Sequence, residues 1–353
     1  MAEIRFIKKS EWLKLRAFNE AEYKPGHILT NKVYYDWQFD NFANPNKDAY
    51  GTLGLFNSSG ELIGTFGLFY APMHFFGRTL MGTHLCNLII KKDLRSLGYG
   101  YRLLERAASL NPLALDHTIN EAAWPMFMRS GWQGENLKRF IFIINSKTSL
   151  YQLPASREAP PVRSWEWIVV SEFDEKIDVF WQSIRERYPI TVERTANYLN
   201  WRYSHDPLIK YKAFLARDGG LVKALVILRI EEPRDEKQPL GIRVGRIIDF
   251  VSDKGADIFA LTQTIRYCRD EGIAFIDYFL SGDFYDQSLA AAGFINGDSP
   301  EYKKIPILFI PVSTKRLYLN FAVQTADPSL KDKVKDLKNW YTTKGGGDQD
   351  RAY

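Results

Sequence analysis

The segment Arg95-Ser96-Leu97-Gly98-Tyr99-Gly100 has residue types and spacing suited to holding an anion. It follows the apolar run Thr83-His-Leu-Cys-Asn-Leu-Ile-Ile-Lys91 and precedes a stretch with Leu103, Leu104, Ala107 and Ala108 at helical spacing, so it reads as strand, glycine loop, helix. In that setting backbone N–H groups converge on a bound anion. Gly98 and Gly100 remove side chains that would block close approach of a pyrophosphate, and both permit positive φ. The first helical turn adds unsatisfied donors and the positive end of a dipole, an effect of about 0.3–1 kcal/mol at an exposed position. The loop is built to seat a diphosphate.

The elements that position this loop are legible on both sides of it. Residues 51–70 read as two strands joined by a tight turn at Asn57-Ser-Ser-Gly60. A strand over 113–119 leads to a short helix that begins near Asn120 and ends at Gly131-Trp132, and a strand over 139–144 closes the first half. Residues 149–165 contain Pro154, Pro160 and Pro161 among polar residues, the composition of an extended linker. The second half repeats the order of elements. Helical stretches cover 174–187 and 191–203, a hairpin turns at Asp218-Gly-Gly220, and strands over 246–251 and 275–280 each precede a helix. A length of 353 residues favours two cores. The division expected is a first domain over 1–148, a linker over 149–165, a second domain over 166–315 and a tail over 316–353.

Composition excludes several classes of function. At 45% hydrophobic, 14% aromatic and 25% charged the chain is globular. The net charge of +5 is dispersed, which gives no argument for nucleic acid as a partner. Neither a signal peptide nor a membrane-spanning stretch is present in the sequence, so the expected address is cytoplasmic with no membrane partner. Cys86 and Cys268 stand far apart without metal-ligand spacing, so no metal is expected and both are read as reduced and buried.

The loop resembles the Arg/Gln-x-x-Gly-x-Gly/Ala signature of GNAT acyltransferases, with Leu88 and Ile90 at the apolar positions of the preceding strand. Asn120-x-x-Ala123-x-x-x-Phe127-x-x-x-Gly131-Trp132 is similar to the later motif of that family. The resemblance covers roughly 1–145 and, more faintly, 166–312. It implies an α/β (α+β mixed) architecture of two tandem GNAT-like domains, each a splayed mixed sheet flanked by helices. In the first, the strands over 83–91 and 113–119 part to admit the pantetheine of acetyl-CoA or another acyl-CoA. The cofactor-binding set so implied is Leu88, Ile90, Arg95, Ser96, Leu97, Gly98, Tyr99, Gly100, Tyr101, Asn120 and Phe127. The corresponding loop of the second half, Val251-Ser-Asp-Lys-Gly-Ala-Asp257, lacks the second glycine and carries two acids. Only the first domain is therefore expected to bind the co-substrate, and the second to shape the acceptor pocket.

The family pattern implies attack of an acceptor amine on the thioester, assisted by a base and by an acid for the leaving thiolate. Many relatives carry a carboxylate on the strand before the loop, where this chain has Cys86 and Asn87. His84, Asp116 and His117 are the remaining candidates for the base. Phe127 stands where relatives often carry a proton-donating Tyr, so either Asn120 or a backbone N–H meets the sulfur, or the enzyme dispenses with an acid, or the domain binds without reacting. Tyr34-Tyr-Asp-Trp37 and Tyr198-Leu-Asn-Trp-Arg-Tyr203 could line an acceptor pocket or pack as amphipathic core. The run over 200–207 and the tail Trp340–Arg351 resemble tandem-GNAT proteins of bacterial surface-polysaccharide clusters. That likeness implies a small-molecule amine acceptor, a free or nucleotide-linked amino sugar. The acids of the tail either meet that amine or are solvated. A Fem-like aminoacyl-tRNA-dependent transferase and a non-catalytic CoA-binding or scaffold protein are the alternatives.

Overall fold

The computed structural model describes residues 2–23, 26–159, 165–314, 319–348 and 350. Its first half runs β1 (Glu3–Lys8), α1 (Trp12–Glu22), α2 (Lys32–Phe39), β2 (Ala49–Phe56), β3 (Leu62–Phe75), β4 (Arg78–Ile90) and α3 (Tyr99–Ala108). It continues with β5 (Leu113–His117), α4 (Trp124–Arg129), β6 (Gln133–Asn136) and β7 (Lys138–Ile143). The second half opens with β8 (Glu166–Val170), α5 (Glu175–Ile184), β9 (Ile190–Val192) and α6 (Ala196–Leu199). Then follow β10 (Lys212–Asp218), β11 (Leu221–Glu231), β12 (Val244–Ser252), α7 (Asp257–Asp270), β13 (Phe275–Leu280), α8 (Asp286–Ala292) and β14 (Ile295–Asn296). A small hairpin, β15 (Leu308–Phe309) and β16 (Val312–Ser313), precedes β17 (Asn320–Thr325) and α9 (Lys331–Lys335).

Two large mixed sheets result. The first has the order β1-β2-β3-β4-β5-β17-β6, with β9 paired to β3, and the second has the order β14-β7-β13-β12-β11-β10-β8. Reversed, the second order matches the first strand for strand: each has an antiparallel run of four strands, then a parallel neighbour, then two more. The repeated order of elements in the sequence is thus a repeated sheet.

The sixth place in each sheet is filled by the other half of the chain. β7 pairs with β13, Phe275 opposite Ile143 and Leu280 opposite Lys138. β17 in turn lies between β5 and β6, Phe321 opposite both His117 and Glu135. This corrects the expected division in one respect: residues 138–143 belong by pairing to the second sheet and residues 320–325 to the first. The single residue Leu137 carries the chain from one sheet to the other, and its N–H donates to the Leu319 carbonyl at 2.7 Å. The segment expected as a free linker also packs down, because Tyr151 and Leu153 are buried and the Tyr151 hydroxyl donates to the Ala274 carbonyl. Pro160 and Pro161 lie outside the described residues.

Local differences from the sequence reading have simple causes. The helix expected from Asn120 begins at Trp124, after a turn in which the Asn120 carbonyl accepts from the Trp124 N–H at 2.9 Å. Residues 191 and 192, expected to open a helix, instead belong with Ile190 to β9, which extends the first sheet by pairing Ile190 with Phe75 and Val192 with Met73. α3 buries Leu103, Leu104 and Ala107 against Leu53, Phe66, Leu85 and Ala114. The larger core is continuous across both halves, and it includes Phe39, Phe69 and Leu115 of the first with Trp181, Trp201 and Tyr278 of the second.

Two features join the halves. Trp37 and Trp201 stack at 5.5 Å, and each indole N–H donates to the other residue's carbonyl at 2.8 Å. These tryptophans, with the buried Tyr34, Tyr198 and Tyr203, therefore form core between the sheets rather than an open acceptor pocket. The second feature is the tail. β12 and β13 pair only from Gly245 to Ile247 against Ile276 to Tyr278, and beyond that point the segment 340–347 enters the opening. Thr343 bridges Leu280, Ser281 N–H donates to the Thr342 carbonyl at 2.9 Å, and the Thr343 hydroxyl reaches Asp249 at 3.3 Å. A side-chain carbon at Gly345 would stand 2.1 Å from the Tyr203 hydroxyl and 3.2 Å from the Ile248 carbonyl, so only glycine passes there. The second gap is closed by the chain itself. Replacing Gly345 with Val is expected to lower stability by about 1–3 kcal/mol through overpacking. A lower urea midpoint with an unchanged slope would show it.

Candidate active site

β4 and β5 lie parallel over a short distance, from Gly82 opposite Leu113 to Leu85 opposite Asp116, and then separate. Two non-glycine residues with positive φ mark the separation, Asn87 and Thr118, both at 58°. Such a backbone is uncommon outside glycine and concentrates at functional sites. Against β3, the register of β4 slips between Ile89 and Cys86, so one extra residue bulges there and turns the strand edge outward. The Tyr23 hydroxyl holds the bulge by donating to the Asn87 carbonyl at 3.2 Å.

Below the gap stands the glycine loop. Residues 92–97 form a 3₁₀ turn, Gly98 takes the left-handed conformation at φ 75°, and α3 starts at Tyr99 with no side-chain cap. The first-turn N–H groups are consequently open to a ligand. A side-chain carbon on Gly98 would meet nothing within 4 Å, so the loop faces open space, while Gly100 sits over Leu88 and Met126. Arg95 fastens the loop to the strand through Nε, which donates to the Ile90 carbonyl at 3.0 Å, and its guanidinium is half-exposed 4.0 Å from Glu22. Ser96, Leu97 and Tyr101 are exposed, Leu88 and Tyr99 half-buried, and Ile90 buried.

A cavity of about 350 Å³ fills the space between the separated strands. Its walls include Asn87 and Leu88 from β4, Asp116 to Asn120 from the end of β5, and Phe127 from α4. Lys344 and Asp348 reach it from the tail. The structure thus brings Asp116, His117, Asn120, Leu88 and Phe127 together and leaves His84 behind them. His84 is buried, stacked on Phe69 at 4.5 Å and on His117 at 6.5 Å.

The charged groups of the cavity differ sharply in environment. Burial, reinforced by the Asp348 carboxylate, pushes Asp116 well above the usual carboxylate range. Burial and then the Arg202 charge push His117 down to about 3, so its imidazole is neutral, and Nε2 lies 2.8 Å from the Thr342 hydroxyl. His84 is also driven well below its ordinary value, by burial and then by His117. Phe127 is buried edge-on to Trp132 at 5.0 Å. Asn120 accepts from the Ala123 N–H at 2.9 Å through Oδ1, which leaves its Nδ2 as the donor on that wall.

Sequence spacing gave no way to place Thr342, Lys344 or Asp348 beside Asp116. The one local signal was the triplet Gly345-Gly346-Gly347 between a Lys and an Asp. It allows the backbone to lie against His117, whose Nδ1 would be 2.4 Å from a side-chain carbon at Gly347. Arg202 holds the segment by donating to the Gly345, Gly347 and Asp350 carbonyls.

Two sheets whose parallel neighbours part at a bulge, with a glycine-led helix start under the gap, are a recognisable arrangement. The fold is that of the GCN5-related N-acetyltransferases, or GNAT fold. A GCN5-related N-acetyltransferase from Anabaena variabilis superposes with a TM-score of 0.60 at 9% identity, over 93% of this chain and 73% of that one. A probable N-acyltransferase from Enterococcus faecalis gives 0.57 at 11% identity, over 92% and 72%. Saccharomyces cerevisiae N-myristoyltransferase with bound myristoyl-CoA gives 0.53 at 12% identity, over 98% and 86%. No protein-family model and no curated protein matches the sequence. The likeness spans both halves, so the GNAT fold here is a tandem one. Among the described residues no group of His, Cys, Asp and Glu could hold a metal ion, and no helix is long and apolar enough to cross a membrane.

Lys344 gives this site a stability signature. Burial and then Arg246 lower its pKa from 10.5 to about 8. Between about 8 and 10.5 the unfolded chain therefore binds more protons than the folded one, so this residue makes stability rise with pH across that window. Chemical denaturation of the protein and of Lys344→Met at a series of pH values should show the rise in the first and its loss in the second.

Proposed function

We propose that the protein is an acyl-CoA-dependent N-acyltransferase whose co-substrate, acetyl-CoA or another acyl-CoA, binds the first half. The observation that carries the reading is the cavity at the parting of β4 and β5, whose lining residue Leu88 lies against Gly100 of an uncapped helix start led by a left-handed glycine. The diphosphate sits on the N–H groups of Gly98 to Tyr101, with Arg95, Ser96 and Leu97 around it. The pantetheine runs along the free edge of β4 at Asn87, Leu88 and Ile90 toward the cavity. The closed gap of the second sheet supports a single co-substrate site. The acceptor is an amine on a small metabolite, with a free or nucleotide-linked amino sugar as the class first tested, and the pocket of the binding half is completed by the tail through Lys344 and Asp348.

Asp116 is the group best matched to act as base. The raised pKa gives the Asp116 carboxylate more affinity for the amine proton than an ordinary carboxylate has, whereas an imidazole near 3 has little. The amine nitrogen attacks the thioester carbonyl, Asp116 receives the proton, the carbon–sulfur bond breaks and the thiolate leaves toward Asn120. Phe127 supplies packing and no proton.

Calorimetric titration with acetyl-CoA, followed by thiol release with a panel of amino sugars, tests the reading. Binding with amine-dependent release is expected; binding without release against every amine would instead support a CoA-sensing role. Gly98→Val should abolish most of the coenzyme A affinity while circular dichroism and unfolding midpoint show a retained fold, because the side chain enters the diphosphate's space and strains φ. Asp116→Asn should keep that affinity and lower kcat by about 10²–10⁴-fold. In the wild type, kcat/KM should rise with pH through an apparent pKa above the ordinary carboxylate range, a step the variant lacks.

A further inference from the structure

The cavity is lined by residues of both charge signs. Asp116 and Asp348 are two carboxylates near enough for one to raise the other, and Lys344 is a cation contributed by the tail. Lys344 is 2% exposed. Among the described residues its ammonium has neither a hydrogen bond nor an ion pair, only the face of Phe279 at 5.5 Å.

The carboxylates on its other side are already committed. Asp350 pairs with Arg229 at 2.7 Å and accepts from the Tyr211 hydroxyl. Asp277 is held by Arg246 through both oxygens at 2.8 Å and by Arg139 at 3.1 Å. Glu231 meets Arg246 at 3.3 Å and Arg229 at 3.6 Å. Among the described residues Glu231, Asp277 and Asp350 are thus engaged by Arg139, Arg229 and Arg246, and Lys344, which lines the cavity, is ion-paired with none of them. A buried ammonium without a partner is costly, and a ligand that supplies an anion removes the cost.

We infer that the acceptor carries an anionic oxygen group, a carboxylate or a phosphate ester, close to its amine, and that Lys344 receives this group while Asp116 and Asp348 receive the amine. The inference rests on the acyl-transfer reading of the same cavity and narrows its acceptor class. Neutral amines leave Lys344 unpaired. Acceptors such as an amino-sugar 1-phosphate or an α-amino acid satisfy the cation and the carboxylates at once.

The test uses the full chain saturated with coenzyme A and two matched pairs of amines, glucosamine 1-phosphate against glucosamine and L-alanine against ethylamine. Calorimetry is expected to show one charged member bound roughly 10- to 100-fold more tightly than its neutral counterpart, the range given by a hydrogen bond to a charged group. The pair that shows the preference identifies the anion as phosphate or carboxylate. Lys344→Met should erase the preference and Lys344→Arg retain part of it. Equal binding within both pairs by the wild type overturns the inference without recourse to any variant, as does a preference that survives in a folded Lys344→Met. Thiol release from acetyl-CoA separates the two levels. Turnover of neutral and charged amines alike would leave acyl transfer standing and remove the role of Lys344, whereas absence of coenzyme A binding would remove the acyl-transfer reading itself.

Discussion

The passage of the glycine-containing tail between the two sheets is the constraint on which the arrangement depends. Gly345 lies where a single additional carbon would collide with Tyr203 and crowd the backbone of β12, and Gly347 lies where it would collide with His117. Because the segment fits only as backbone, its carbonyls are presented to Arg202, and its flanking polar residues are delivered to fixed places. Thr342 meets His117, Lys344 and Asp348 meet the cavity, and Asp350 meets Arg229 and Tyr211. One stretch of chain both seals the second sheet and completes the first site.

The exchange of strands gives that passage its rigidity. β17 must cross to the first sheet before the chain returns to thread the second, and β7 has already crossed the other way. Neither half can assemble its sheet alone, so the cavity walls from β5 and from the tail are fixed relative to each other by backbone hydrogen bonds. The tryptophan pair, with its two reciprocal bonds, ties α2 to the segment around Trp201 on the same interface. A catalytic geometry shared between two halves needs this kind of support, because displacement of a reacting group by about 1 Å costs orders of magnitude in rate.

Electrostatics follows from the same burial. Asp116 and His117 lie on β5 of the first sheet, and Lys344 is carried on the tail that covers them. Buried together they move away from their free values, the carboxyl upward, the imidazole down to about 3 and the amine down to about 8. All three shifts have desolvation as their first cause, which disfavours the charged form whatever its sign. Arginines elsewhere in the interface keep their charge because each finds carboxylates or several carbonyls, as Arg194 does with both oxygens of Asp249.

The local chemistry of the chain was sufficient to locate the glycine loop, the strands around it and the repeat of elements. These depend on period, turn residues and the special freedom of glycine, all of which act over a few neighbouring positions. Gly98 at positive φ before a helix, Ile90 buried on the preceding strand and the hairpin turns at 57–60 and 218–220 are properties of their own segments. The partners of each sheet edge were decided only in three dimensions. Nothing local distinguishes 138–143 as a strand of the second sheet from a strand of the first, since apolar alternation fits either edge equally. The same holds for His84, a remaining candidate base on its strand whose ring is covered by Phe69, and for Trp37 and Trp201, whose rings found each other. Lys344 and Asp348 acquired their setting because a distant segment was drawn into a gap that the parting of β12 and β13 leaves open. Sequence sets which residues can form an anion-binding turn; long-range packing sets which charges surround the atom that reacts.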